Sequence, residues 1–273
     1  MSFYSKNLEQ PDLNSLMKHV PVGRLIPWDH ASGSRQMAAD AYLLEQRGLH
    51  PEQGPVLRFY GWDQDTLSLG YHQDIGSIPS TPAMARIPWV RRPTGGRAVL
   101  HQASSAQAEL TYSLVMSLPH PCSRTEGYHY LCQFLRQGMQ MLGIQLQAES
   151  THRLARRSDR TYGHSISCFA SNTTADLTWQ GCKVIGSAQL WRDGIVLQHG
   201  SILLQPDRDL WESVLPGSTD QIKGIYEILG TVIPISEIIT TFVQAASDCF
   251  PYLWREQDWF PRERQQISLK IAS

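Results

Sequence analysis

Two dipeptides constrain the fold of this chain more than any other feature. Gln180-Gly181 and Asp193-Gly194 each sit between apolar or alternating runs, and pairs ending in glycine supply the positive-φ corner of a tight antiparallel hairpin. They divide the region into three consecutive antiparallel strands, about 174–179, 182–191 and 194–204. Side chains alternate along a strand with period two. On the middle strand Lys183, Ile185, Ser187 and Gln189 therefore share one face, and Cys182, Val184, Gly186 and Ala188 the other.

The rest of the chain can be placed around this meander. Pro11, Pro21 and Pro27 make residues 1–30 an irregular lead-in with room for one short strand. Ser34 can cap a helix in which Met37, Ala38, Ala41, Tyr42, Leu44 and Leu49 roughly follow helical spacing, with Gly48 marking its end. Val56–Trp62 and Thr66–Tyr71 read as strands joined by the polar turn Asp63-Gln64-Asp65. Trp89–Arg92 enters a glycine turn and Ala98–Leu100 leaves it. Leu110–Val115 and Ile144–Ala148 alternate as strands, with one helix expected over Glu126–Leu142. Leu210–Val214, Gln221–Leu229 and Ser236–Phe250 read as helices. Strands with interspersed and trailing helices give an α+β class, a mixed and largely antiparallel sheet flanked by helices. The expected organisation is the lead-in 1–30, a single domain 31–260 and a C-terminal tail 261–273.

At 273 residues the chain can bury a large core without disulfides or metal. A formal charge of −1 speaks against a nucleic-acid binder, which needs a concentrated basic balance. The five cysteines (Cys122, Cys132, Cys168, Cys182, Cys249) are scattered without a CxxC pair, so neither a disulfide framework nor a zinc site is indicated. A reduced, cytoplasmic setting fits best. The opening residues hold no apolar core of signal-peptide length, and no run approaches a membrane span. The expectation is a soluble protein with no membrane or nucleic-acid partner and no metal.

Chemistry concentrates in the stretch from Arg91 to His101. Arg91, Arg92 and Arg97 flank a Pro-Thr-Gly95-Gly96 turn, and His101 follows. Paired glycines let a polar group approach the backbone, and arginine offers a planar fork to phosphate or carboxylate. A plain β-turn between two strands is the simpler alternative. Gly186-Ser187-Ala188 lacks bulk, so that strand can lie against a bound ligand, turn backbone N–H groups to an oxyanion, or simply pack tightly. His101 and His199 suit proton handling near neutrality, although a lone histidine is more often structural. Considered alone, Cys168 reads more readily as an inert buried thiol than a reactive one, and Lys183 as a solvated surface residue.

Arg91–His101 resembles the arginine–glycine signature of the lipoate–biotin protein ligase and octanoyltransferase superfamily. The resemblance extends to Glu109-Leu110-Thr111-Tyr112-Ser113, Ser167-Cys168-Phe169, Gly181–Gln189 and Leu197–Ile202. It is strongest to the octanoyltransferase branch built on the lipoate-ligase-A-like scaffold, and it runs from about Ala38 to the last helix. It implies a biotin/lipoate protein ligase-like catalytic domain. It also implies that Cys168 carries the acyl group as a thioester and that Lys183 is the essential lysine. An ammonium near a thiol favours the thiolate, lowering a free value of about 8.5; in the ligase branch the matching lysine instead stabilises the phosphate of an acyl-adenylate. Arg91, Arg92, Gly95, Gly96, Arg97, His101, Gly186, Ser187, Ala188 and His199 are then the candidate substrate-binding residues.

The implied activity is transfer of an octanoyl group from octanoyl-acyl carrier protein to a lysine of a lipoyl domain or of glycine cleavage H protein, with no cofactor. An ATP-dependent lipoate–protein ligase, an octanoyl or lipoyl amidotransferase and a non-catalytic acyl-binding relative are the alternatives. One departure stands out. Where the family commonly has an acidic residue after the motif histidine, this chain has Gln102, followed by the polar stretch Ala103–Ala108, and Glu109 can supply the missing charge. A basic loop holding His152, Arg153, Arg156, Arg157 and Arg160 would steer acidic carrier proteins by long-range attraction.

Overall fold

The chain enters its main sheet earlier than the prolines of its first thirty residues suggest. In the computed structural model, which describes residues 20–103, 107–118, 121–148, 177–217, 219 and 221–272, Val22–Ala31 forms a ten-residue strand, β1. Pro27 is accommodated because it falls where the pairing register shifts, between Ile26 and Asp29, so its missing N–H costs no ladder bond. Helix α1 (Gly33–Leu49) follows, capped by Ser32 rather than Ser34, with the Ser32 hydroxyl accepting from the Arg35 N–H at 3.4 Å. The helix is a crossover: it leads to β2 (Val56–Trp62), which pairs with β1 in parallel.

β3 (Thr66–Leu69) does not pair with β2. It is the centre of a second, three-stranded sheet, with β4 (Trp89–Arg91) parallel on one side and β5 (Val99–His101) antiparallel on the other. The turn at residues 63–65 thus carries the chain between sheets instead of closing a hairpin. β6 (Glu109–Ser117) returns to the main sheet beside β2.

The helix expected over 126–142 is two helices. α2 (Arg124–Leu131) opens with a Ser123/Glu126 capping box, and α3 (Gln133–Met141) begins after Cys132, whose N–H is shared between the carbonyls of Tyr128 and Tyr130. Beyond α3, Gly143 is left-handed at φ 83° and Ile144 donates back to Met139 at 2.8 Å. That is a helix-terminating arrangement, and it removes Ile144 from the expected strand, of which only β7 (Gln147–Ala148) pairs.

The meander lies where the turn dipeptides put it, as β8 (Leu177–Trp179), β9 (Cys182–Arg192) and β10 (Ile195–Leu203). Both corner residues of each turn have positive φ: 49° and 80° at Gln180-Gly181, 51° and 78° at Asp193-Gly194. These are the mirror-image turns that match strand twist. The chain closes with α4 (Arg208–Val214), α5 (Ile225–Leu229), α6 (Ile235–Cys249), β11 (Leu253–Glu256) and α7 (Pro261–Ala272).

The main sheet runs β11-β1-β2-β6-β10-β9-β8-β7 and is antiparallel except where β1 meets β2 and β11. Alternation along β6 and β10 sends side chains to two cores. Tyr112, Leu114, Val196 and Ile202 join Phe134, Phe242 and Phe250 of the α3–α6 layer. Val115, Ile195 and Leu197 join Ala38, Leu43 and Ile267 of the α1–α7 layer. The expected α+β class with a largely antiparallel sheet flanked by helices therefore holds.

The stretch 261–273, expected as a tail, instead contributes α7. Ile267 is fully buried, Arg24 grips Glu263 through two bonds of 2.7 Å, and Lys270 reaches Glu45 at 2.6 Å. Ile267→Ala should lower the free energy of unfolding by about 2–4 kcal/mol, the range for emptying a core isoleucine site. Urea denaturation measures this, and a loss below about 0.5 kcal/mol would mean that α7 does not hold the core.

Candidate functional site

The small sheet stands over the point where β9 and β10 carry their glycines. Between them is a cavity of about 30 Å³. Its described lining includes Ser68, Arg92 and His101 from the small sheet and its turn, Gly186, Ser187 and Ala188 from β9, and His199, Gly200 and Ser201 from β10. Met37 of α1, Tyr60 and Trp62 of β2, Val99 and Thr111 complete it. Gly200 must lack a side chain, because a Cβ there would stand 2.2 Å from the carbonyl oxygen of Gly186.

Two buried carboxylates organise the walls. Asp40, on the inner face of α1, accepts from Arg58 Nη1 at 3.0 Å, Tyr60 Oη at 3.1 Å and His199 Nδ1 at 2.7 Å. With Nδ1–H committed to Asp40, His199 Nε2 accepts from the Thr94 hydroxyl at 2.6 Å. Burial opposes the charge on Asp40, but the bond from His199 and the Arg58 guanidinium outweigh it and hold the carboxyl below its ordinary pKa. Burial pushes the His199 imidazole down, and Asp40 only partly offsets this, so the ring is neutral near pH 7.

Glu109 is the second centre. Trp62 Nε1–H donates to Thr111 Oγ1 at 2.8 Å, so the Thr111 hydroxyl turns its proton to Glu109 Oε1 at 3.2 Å. Ser201 donates to Oε2 at 2.6 Å and His101 Nδ1 to Oε1 at 2.8 Å. The far nitrogen of His101 then accepts from Ser68 Oγ at 2.9 Å, and Ser68 in turn accepts from Arg92 Nη1 at 3.2 Å. Trp62 stacks on the His101 ring at 3.9 Å. The acid that the motif lacks at Gln102 is thus supplied by Glu109, while Gln102 pairs with the Asp207 backbone through two bonds of 3.0 Å.

A third chain holds Ser187. Gln189 Nε2 donates to Gln198 Oε1 at 2.7 Å, Gln198 Nε2 to Tyr112 Oη at 2.9 Å, and Tyr112 passes its own proton to Ser187 at 2.7 Å. Gln198 and His199, adjacent on β10, fall on opposite faces of the sheet; of the two, only His199 is in the described lining. In every wall the polar groups bond to one another, so the cavity presents carbon and satisfied heteroatoms. That surface suits an apolar chain better than a charged ligand.

The arginines of the glycine turn are mostly internal clamps. Arg91 Nη1 donates to the carbonyls of Gly70, Tyr71 and Gln73. Arg92 donates to those of Ser68, Gly95 and Arg97. Of the candidate substrate-binding residues, Arg92, His101, Gly186, Ser187, Ala188 and His199 come together at the cavity, whereas Arg91, Gly95, Gly96 and Arg97 shape the turn beside it. Lys183 is not a solvated surface residue but fully buried, three residues along β9 from Gly186. Its backbone bonds to Gln221 at 2.7 Å and to Lys223 at 3.0 Å. Cys168 and the basic loop 152–160 lie outside the described residues. Among the described residues, no cluster of His, Cys, Asp and Glu is placed to hold a metal ion.

Sequence reasoning passed over Asp40 and Arg58. The signal was an acid inside the apolar stripe Met37–Leu44 and an arginine inside the apolar run Val56–Trp62, since such charges are rarely buried without partners.

This scaffold is that of the lipoate protein ligases. Lipoate-protein ligase A bound with ATP superposes with a TM-score of 0.76 at 21% identity, covering 92% of this chain and 94% of that one. A lipoate protein ligase of T. acidophilum with bound lipoic acid gives 0.74 at 20%, covering 91% and 94%. The sequence is nearer to proteins named octanoyltransferase LipM. That of Anoxybacillus flavithermus is 36% identical over 209 residues, covering 74% of this chain and 72% of that protein. That of Bacillus subtilis is 38% identical over 193 residues, covering 68% and 66%. The chain belongs to the family described as lipoyl protein ligase A/B catalytic domain, which matches residues 32–248. It is an acyltransferase.

The His199 shift has a defined sign. Its folded pKa is depressed, so its stabilising contribution is complete above the unfolded value of about 6.5 and declines as pH falls below it, when the unfolded chain takes up a proton the folded one refuses. Asp40, also depressed, keeps its contribution until pH falls through the ordinary carboxylate range. Below about pH 6.5 His199 should therefore add a positive slope of stability against pH. Urea unfolding against pH should show that slope flattened in His199→Gln; an unaltered slope would mean the imidazole is not held neutral.

Proposed function

We propose that this acyltransferase moves an octanoyl group in protein lipoylation and carries it as a thioester on Cys168. The observation that carries the reading is the cavity between β9, β10 and the small sheet, with inward-satisfied polar walls and a floor of Gly186, Ala188 and Gly200. It is a slot for an alkyl tail, on the strand that bears the buried Lys183. The LipM relatives are named for the same transfer.

In the first half-reaction the Cys168 thiolate attacks the carbonyl of octanoyl-acyl carrier protein, and the carrier thiol leaves. In the second, the ε-amine of a lysine on a lipoyl domain or on glycine cleavage H protein attacks the new thioester. The amide forms, the C–S bond breaks, and the proton lost by the amine balances the thiolate released. Dividing the transfer into two steps is the general advantage of covalent catalysis. The thioester donor already holds the activation energy, so no nucleotide or metal enters. The ammonium of Lys183 supplies charge stabilisation, to the thiolate before attack and to the oxyanion during it. A cytoplasmic setting, where both carriers would be met, completes the reading; among the described residues no helix is long and apolar enough to cross a membrane.

Intact mass spectrometry after mixing with octanoyl-acyl carrier protein tests this directly. The wild type should gain one octanoyl group, Cys168→Ala none, and Lys183→Ala should acylate at least about a hundredfold more slowly. An adduct that survives in Cys168→Ala would refute the assignment. Acceptor modification that needs ATP and free octanoate, with no enzyme adduct, would make the protein a ligase instead.

A further inference from the structure

We propose that Met37 is the movable wall of this cavity and the residue that sets the length of acyl tail the enzyme takes; the inference rests on the thioester reading above. At about 30 Å³ the cavity has room for about two waters, and an eight-carbon tail is several times larger. For the tail to be enclosed here, some part of the described lining must give way.

Most of it is fixed. The floor is backbone, held by the ladder that pairs Gly186 with Ser201, Ser187 with Gly200 and Ala188 with His199. Tyr60 is tied to Asp40 and Trp62 to Thr111. His101 and His199 are each bonded through both ring nitrogens. Val99 is branched at Cβ and lies on β5, paired with Ser68, so one stiff torsion is all it has.

Met37 alone among the described lining side chains is long, unbranched and apolar. A thioether on three rotatable bonds is the side chain best able to repack. Its surroundings allow that: it is 6% exposed, and it packs with Tyr60 and Trp62 in a small satellite cluster separate from the larger cores. The helix beneath it is anchored, because Asp40 lies one turn further along α1 and is bonded to His199 and Arg58. An entering tail therefore displaces the Met37 side chain rather than α1, and the space that side chain surrenders fixes where the tail must stop.

The test compares kcat/KM for hexanoyl-, octanoyl- and decanoyl-acyl carrier protein in wild type, Met37→Ala and Met37→Phe. Ratios between chain lengths within one preparation cancel any loss of folded protein. Truncation to alanine frees space for about two methylenes, and each buried methylene changes transfer by about fourfold. The decanoyl/octanoyl ratio should thus rise by about fifteenfold in Met37→Ala. In Met37→Phe it should fall, and the hexanoyl/octanoyl ratio should rise. Ratios unchanged from wild type in both variants, with the octanoyl adduct still forming, would overturn the role of Met37 and leave the thioester reading intact. No adduct on the wild type from any chain length would overturn both.

Discussion

Two carboxylates with almost no contact with water hold this molecule's site together. Asp40 and Glu109 are each 7% exposed or less, and a buried carboxylate persists only where donors replace the water it lost. Those donors come from different layers. Asp40 on α1 is met by Arg58 and Tyr60 of β2 and His199 of β10. Glu109 on β6 is met by Ser201 of β10 and His101 of β5. Thr94, bonded to His199, joins the glycine turn to the same system. The small sheet is therefore held over the main one by these bonds together with a hydrophobic cluster in which its Leu67, Leu69, Val99 and Leu100 pack with Leu203 of β10 and Trp211 and Val214 of α4, while the cores on the two faces of the main sheet supply bulk stability.

Function follows from where these bonds point. Every hydroxyl and imidazole of the described lining is bonded to another group of the protein, leaving a surface that gains little from a polar ligand and can enclose an alkyl chain. The missing Cβ at Gly200 lets the backbone of β9 and β10 approach closely beneath it. Affinity for the chain is then additive and modest, about 0.8 kcal/mol per methylene. Discrimination between acyl lengths must come from a wall and not from a specific bond.

The meander was legible in advance because two dipeptides specify a turn type and a turn type specifies pairing; the structure places both corners in positive φ. The glycine-turn stretch could be located as a site, but not as an architecture. Arg91 and Arg92 read as anion forks, and the fold uses most donors of Arg92 and the Nη1 of Arg91 on its own carbonyls. β1 was obscured because Pro27 penalises a strand unless a register shift receives it, and such a shift depends on the neighbouring strand. α7 was obscured because Ile267, its one fully buried residue among those described, has no periodic partners in the sequence; the cluster it joins draws on α1, β1, β6 and β10, far from it along the chain. Asp40 and Arg58 illustrate the general limit, since each is an anomaly in its own element and becomes intelligible only when the other is beside it.

A lysine on a strand next to a hairpin turn is ordinarily solvated, yet Lys183 is enclosed where β9 meets the segment after α4. In the proposed thioester route it is the residue that joins the fold to the chemistry. The central claim is that the octanoyl tail occupies the cavity on β9 and β10 without disturbing the two carboxylate systems around it. A crystal structure of the octanoylated protein tests it most directly. The tail should lie over Gly186, Ala188 and Gly200 against a displaced Met37, with the Asp40–His199 and Glu109–His101 bonds intact. A tail bound elsewhere, or either bond broken to admit it, would contradict the account.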